Sequence, residues 1–161
     1  MVYIVEGART AFGTYGGMFK DVSDMDLAVT AVKGALERSN VDPKDVEEII
    51  MGNIIQTSAS SPYLARHIGL HSGLTHESRA LTLNRLCGSG MQSIISGAQS
   101  ILLGDADIIV AGGTENMTQA PRLLHDTRFG TPNKLPRMDD MLWGTLTDAY
   151  IGCGMGITAE N

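Results

Sequence analysis

The sequence predicts an α/β fold, a mainly parallel sheet with helices on both faces. Three observations carry that expectation. Short, almost wholly apolar runs alternate with stretches of helical periodicity in the order β-α-β-α-β-α-β, and strands without a polar face belong in sheets covered on both sides. Helix-start signals (Ser23, Asp42-Pro43, Ser61-Pro62) stand between the runs. A turn with two glycines, Gly88 and Gly90, joins the third run directly to a long amphipathic stretch.

Taken in order, residues 2–5 (Val-Tyr-Ile-Val) read as a first strand, apolar throughout and so buried on both faces. Residues 9–20 carry Gly13, Gly16 and Gly17 among aromatics, and with no helix opening from them they read as a plain loop rather than a phosphate cradle. Ser23 caps a helix to about Ser39 whose apolar face is Leu27, Ala31, Val32, Ala35 and Leu36. Asp42-Pro43 opens a short turn, residues 48–52 form the second strand, and Ser61-Pro62 opens a helix to about His71. Residues 80–84 form the third strand and residues 85–90 the turn. The next helix runs to about Leu103, with Met91, Ile94, Ile95, Ala98, Ile101 and Leu102 on one apolar face. Residues 108–111 form the fourth strand, closed by Gly112-Gly113. From Thr118 the texture changes. Pro121, Pro132 and Pro136 interrupt it, and Met138, Met141, Leu142, Trp143 and Leu146 show no clear period; residues 155–161 read as the first turns of a helix.

Composition narrows the function classes. Hydrophobic residues at 43% and charged residues at 19% suit a globular core in a chain of 161 residues and argue against disorder. Twelve basic and eighteen acidic residues are scattered along the chain, a net charge of −6 that points away from nucleic acid. The N-terminus lacks a basic region followed by a long apolar core, and no apolar run reaches membrane-spanning length. With only Cys87 and Cys153 there is no disulfide framework. The expectation is a soluble, cytoplasmic chain.

Cys87 is the residue with chemistry to offer. It lies on a strand-to-helix turn, close to the unpaired N–H groups and positive end of the helix, a setting that favours thiolate over thiol. Glycines on either side of Ser89 would let a bulky substrate approach, and backbone N–H groups would hold a developing oxyanion. The same position also suits a small buried hydrophobe, the usual fate of a free cysteine. Other readings of the glycines fail on spacing: there is no dinucleotide fingerprint, no phosphate-binding Lys-Ser/Thr pair and no Gly-x-Ser-x-Gly elbow. His67 and His71 are four apart but have no acidic or cysteine neighbour in the pattern and read as surface residues, so no metal is expected. Asn116-Met117-Thr118 fits a glycosylation acceptor, which a cytoplasmic chain would not use.

Four stretches, in order, resemble the thiolase family (acetyl-CoA C-acetyltransferases and 3-ketoacyl-CoA thiolases). They are Glu6-Gly7-Ala8-Arg9-Thr10-Ala11-Phe12-Gly13, Asn84-Arg85-Leu86-Cys87-Gly88-Ser89-Gly90-Met91-Gln92, Ala111-Gly112-Gly113-Thr114-Glu115-Asn116-Met117 and Met155-Gly156-Ile157-Thr158-Ala159-Glu160-Asn161. The resemblance implies a thiolase-like N-terminal α/β half over residues 1–117, of the kind that packs against a second half. Over residues 118–161 it implies the start of the loop domain that covers coenzyme A. It implies that Cys87 is the acyl-accepting nucleophile, that Leu146 contacts the coenzyme and that Met155 lines the acyl pocket. Cys153 matches no catalytic position. Coenzyme A and acetyl-CoA are then substrates, with no permanently bound cofactor. Two departures stand out: Gly154 occupies a place where biosynthetic thiolases often carry histidine, and residues 60–66 (Ser-Ser-Pro-Tyr-Leu-Ala-Arg) differ from the usual Gly-Gln-Asn-Pro-Ala-Arg. The first leaves room for longer 3-ketoacyl substrates; the second makes the oligomeric geometry less defined.

The implied reaction is acyl transfer between CoA thioesters, as in fatty acid metabolism. Its other groups, a Gly-His-Pro histidine, a second cysteine and an Asn-Glu-Ala-Phe asparagine, are not among these 161 residues. The chain is therefore expected to need a missing C-terminal half or complementary subunit, within a homo- or hetero-oligomer. Two alternatives are a non-catalytic acyl-CoA-binding or assembly subunit, and a small thioesterase using His125 or His76 as base.

Overall fold

The computed structural model describes residues 1–130 and 135–161; Pro132 lies outside the described residues. The first 117 residues build a three-stranded parallel sheet from β1 (Glu48–Gly52), β2 (Arg79–Leu83) and β3 (Ile109–Gly113), in the order β2-β1-β3. Glu48 pairs with Arg79 on one side and with Ile109 on the other, and the register runs unbroken to Gly52 opposite Leu83 and Gly113.

Alternation along β1 decides which helix covers which face. Ile49 and Met51 point into a core shared with α1 (Asp24–Ser39) and α2 (Leu64–His71), where Ala28, Val32, Leu36, Leu64, Ala65 and Ile68 meet Val46 and Leu74. Ile49, Ile50 and Ile68 are each at most 1% exposed, and full burial of a side chain of this size stabilises by about 1.5–3 kcal/mol. Ile50 and Gly52 face the other way, toward α3 (Ser89–Leu103). Helices thus lie on both faces, as expected.

The start signals work as read at two places. Ser23 accepts from the Asp26 amide and caps α1, and Asp42 accepts from the Lys44 amide to open the 3-10 turn at Pro43–Asp45. Asn40 then closes α1 in the left-handed conformation, donating to Glu37. At the third signal a 3-10 turn, Ser61–Tyr63, precedes α2. Ser61 is buried there and accepts from the Ser58 amide instead of capping.

Four expectations need correction. Residues 2–5 form no strand: Tyr3, Ile4 and Val5 are exposed, and the segment runs past α1, where Arg38 donates to the Gly7 carbonyl. An apolar run becomes a strand only with a partner ladder, and the sheet ends at β3 on one side and β2 on the other. The face of α1 is also rotated: Ala28, Val32 and Leu36 are buried, while Leu27, Ala31 and Ala35 are half-buried. The third correction is larger. Met91, Ile94, Ile95 and Leu102 of α3 are exposed, and the opposite stripe of Ser89, Ser93 and Gly97 packs on the sheet. Finally, Gly112 and Gly113 belong to β3 rather than ending it.

One cause explains the last two corrections. A Cβ on Gly52 would lie 2.7–2.8 Å from the carbonyl carbon, Cβ and oxygen of Ser89, and one on Gly113 would lie 3.1 Å from the Gly52 oxygen and 3.5 Å from Gly90 Cα. The strand ends are flat, and only a helix face of small residues comes this close. Periodicity locates the large side chains but does not say which stripe meets the sheet.

Beyond Met117 the chain forms local pairs: β4 (Arg122–Leu124) antiparallel to β5 (Met138–Asp140), then α4 (Met141–Leu146), the two-residue strands β6 (Thr147–Asp148) and β7 (Cys153–Gly154), and α5 (Met155–Glu160). No described residue from 121 onward is fully buried. Asp140 caps α4 through the Leu142 amide, and α5 matches the helix expected from residue 155.

The seat of α3 yields a first prediction. Gly52→Ala forces the helix start off the strand and should lower stability by about 1–3 kcal/mol, the usual cost of overpacking. Urea unfolding measures it, and an unchanged midpoint would mean that α3 does not rest on β1 as described.

Candidate active site at the start of helix α3

Three polypeptide stretches converge at the carboxyl ends of the strands: the turn after β2 with Cys87, the loop after β1 and the loop after β3. Ligands gather at this edge of open parallel sheets. Cys87 is exposed and free, and its sulfur makes no hydrogen bond to a described side chain. It precedes Gly88, the residue that opens α3, so it stands just ahead of the helix rather than inside it. Among the described residues its amide donates to no protein acceptor, unlike the amides of Gly88 and Ser89, which bond to the Arg85 and Leu86 carbonyls.

The loops around it are tied by a buried polar network. The Glu115 carboxylate accepts from the amides of Ile54 (2.9 Å) and Ile55 (3.1 Å), and Asn53 Nδ2 donates to the Thr114 carbonyl (3.0 Å) and reaches Glu115 (3.5 Å). Asn53 also reaches Asp24 at the start of α1 (3.4 Å), whose carboxylate accepts from Thr57 (3.1 Å), while Thr114 Oγ1 donates to the Asp24 carbonyl (2.7 Å). The Asn53 amide bonds to Leu83 and the Thr114 amide to Gly52, so the ends of all three strands meet here. Asn84 Nδ2 reaches the Ile54 carbonyl (3.4 Å) and links the cysteine turn to the same loop. Residues 114–117 are therefore linked to the Cys87 turn through residues 53–55, which sequence reading assigned no role.

Burial pushes the Glu115 carboxyl above its ordinary range; the Ile54 and Ile55 amides pull it back in part, and the nearby Asp24 charge adds to the rise. Neither Glu115 nor Asp24 announced itself in the sequence, because an acid in a Gly-Gly-Thr-Glu loop or a helix's first turn is ordinary.

The other sequence candidates fall elsewhere. Leu146 ends α4 and Met155 begins α5, both half-buried. They flank the bridge between Thr147 and Gly154, so the structure brings these two together. No hydrogen bond joins them to the Cys87 turn among the described residues. Cys153 lies in β7 with its sulfur 3.5 Å from Thr158 Oγ1. His125 bonds to Asp139 (2.8 Å) and Arg137 beside the β4–β5 pair, His76 gives its carbonyl to Arg66, and neither ring bonds to Cys87. His67 stacks on Tyr63 with ring centroids 5.8 Å apart. Asn116 is buried, donating to the Phe19 and Val22 carbonyls, so it is closed to glycosylation in this fold.

The Glu115 geometry fixes the sign of a pH effect. A carboxyl whose titration is raised by folding binds its proton more readily in the folded chain, so stability falls as pH rises through that range. Relative to Glu115→Gln, the wild-type chain should gain stability as pH is lowered from neutral into the range just above ordinary carboxylates. Urea titrations at a series of pH values test this, and parallel curves for the two proteins would rule it out.

Comparison with known proteins places this arrangement. The thiolase N-terminal domain family matches residues 2–161. The mouse protein 3-ketoacyl-CoA thiolase, mitochondrial, is 48% identical over 161 residues, covering 99% of this chain and 41% of its own length. A beta-ketothiolase of Cupriavidus necator is 45% identical over 160 residues. The crystal structure of human mitochondrial 3-ketoacyl-CoA thiolase in complex with CoA superposes with a TM-score of 0.93 at 47% identity, over 98% of this chain and 40% of that one. The chain thus spans about two fifths of the length of the relatives it matches. Two of these proteins are mitochondrial by name, which overturns the expectation of a cytoplasmic chain: an N-terminus without a leader pattern does not decide a compartment. With a matching family over nearly every residue and the fold superposed, the chain belongs to the thiolase family, as its N-terminal domain.

Proposed function

We propose that the chain supplies the nucleophilic half of a thiolase, transferring acyl groups between CoA thioesters through an acyl-cysteine at Cys87. The observation that carries this reading is the position of Cys87: exposed, free, and ahead of α3 with its own amide unpaired. The Cys87 sulfur attacks the carbonyl carbon of an acyl-CoA, the new S–C bond replaces the bond to coenzyme A, and the thiol of coenzyme A leaves. With a 3-ketoacyl-CoA the attack falls on the keto carbon, and the bond to the acetyl-CoA fragment breaks instead. In either case negative charge develops on an oxygen next to Cys87, where its amide can donate; one such donor is typically worth about 2.7–4 kcal/mol in the transition state. A coenzyme A thiol or an acetyl-CoA carbanion then takes the acyl group.

The names of the mouse and human relatives, and the coenzyme in the human structure, support a CoA thioester as the substrate class. Leu146 and Met155, held together across the β6–β7 bridge, are assigned to the coenzyme and acyl pocket in a loop domain that begins near Thr118. The base that activates Cys87 and the groups that handle the second thioester are assigned to a C-terminal half or complementary subunit. The exposed Met91, Ile94, Ile95 and Leu102 stripe of α3 suits packing against such a partner, since an apolar face of that extent rarely stays in water.

Incubation of the 161-residue chain with acetyl-CoA should place one acetyl group on Cys87, read by peptide mass spectrometry, without steady turnover; Cys87→Ala should abolish it. Steady acetoacetyl-CoA thiolysis by the pure chain would refute the need for a second half. Coenzyme binding that survives Cys87→Ser, with no acylation of the wild type, would replace this reading with a non-catalytic acyl-CoA-binding subunit.

A further inference from the structure

We propose that Asn84 and Ser89 are positioning residues for Cys87, acting through the backbone of Leu86. Leu86 has φ 49°, in the left-handed region that side-chain-bearing residues avoid, and Asn40 and Asp126 are the other non-glycine residues so placed among those described. Asparagine and aspartate tolerate this region through local hydrogen bonds; leucine does not. Nor does packing hold Leu86, whose side chain is 56% exposed. A residue persists there only when its surroundings over-determine it.

Both peptide groups of Leu86 are in fact held. Its amide donates to Asn84 Oδ1 at 2.9 Å, two residues back, and its carbonyl accepts from Ser89 Oγ at 2.6 Å and from the Ser89 amide at 2.9 Å. The same Ser89 hydroxyl accepts from the Arg85 amide at 2.8 Å, so one side chain closes the turn from both sides. Ser89 is itself fixed: it is 1% exposed and seated on Gly52, whose missing Cβ makes room for it. The clamp therefore transmits the position of β1 through Ser89 and Asn84 to Leu86. Its effect appears at the next residue. Cys87 is lifted off the helix with its amide unpaired, where a right-handed or extended Leu86 would turn the sulfur and amide elsewhere.

This inference rests on the reading of Cys87 as acyl acceptor, but its test separates the two. Two rates at Cys87 are measured by peptide mass spectrometry on the 161-residue chain: acetylation by acetyl-CoA and alkylation by iodoacetamide. The variants are Asn84→Ala, Asn84→Asp, Ser89→Ala and each alanine variant combined with Leu86→Gly, with folding checked by circular dichroism. Asn84→Ala should slow acetylation by roughly a hundredfold, the scale of a 1 Å misplacement of a reacting group. Asn84→Asp keeps the acceptor for the Leu86 amide but loses the donor to the Ile54 carbonyl, so its rate should lie between wild type and Asn84→Ala. Leu86→Gly should restore most of the lost rate, because glycine holds the left-handed conformation without a clamp. Asn84 is exposed, so its variants stay informative if Ser89→Ala does not fold. If wild-type Cys87 takes no acetyl group, the acyl-transfer reading fails. The clamp is then judged on alkylation alone, with a changed rate restored by Leu86→Gly supporting it. A folded Asn84→Ala with wild-type rates in both reactions, or a loss that Leu86→Gly does not restore, would overturn the clamp.

Discussion

Everything at the candidate site depends on one contact, the seat of Ser89 on Gly52. Without a Cβ at Gly52, α3 begins directly on the end of β1, closer than any side chain would allow. That approach buries Ser89, and burial obliges its hydroxyl to find partners, which it does at Arg85 and Leu86. The turn that carries Cys87 is thus set by the sheet and not by its own preferences. Gly113 extends the same flat floor under Gly90, which is why two strands end in glycine at one edge.

A second constraint keeps that edge together. The loops after β1 and β3 would leave amides and carbonyls unpaired in a half-buried setting, a cost comparable to lost hydrogen bonds. Asn53 and Glu115 satisfy them by reaching across, and Asp24 brings the start of α1 into the same network. Burial makes it costly to keep Glu115 charged there, and the two amides it accepts from offset part of that cost. The result is a rim of tied loops around an exposed cysteine, a setting that suits the nucleophile role proposed for Cys87.

Much of this was legible from residue pattern alone, for local reasons. β1 appeared at its observed bounds because its apolar residues are flanked by a proline turn and a glycine, and the start of α1 because Ser23 marks it. Cys87 stood out because it lies between a strand and a glycine-opened helix; that setting also suits a small buried hydrophobe, and the resemblance of residues 84–92 to the thiolase motif decided between the two. What failed was information held by distant partners. Residues 2–5 have strand composition but no ladder to join, and the large apolar residues of α3 point away from a sheet that accepts only small ones. Asn84 and Ser89 were visible only as letters within a motif; the left-handed Leu86 that gives them a role is a backbone angle. Asn84 accepting from an amide two residues on is the one part of that clamp a turn rule anticipates.

The measurement that bears most directly on the account is a crystal structure of the protein trapped with acetyl-CoA under conditions that stop transfer to a second thiol. The account predicts an acetyl group on the Cys87 sulfur, its carbonyl oxygen within hydrogen-bonding distance of the Cys87 amide, and Leu86 still left-handed beneath it. An unmodified Cys87, or an acetyl group whose oxygen faces away from that amide, would contradict it.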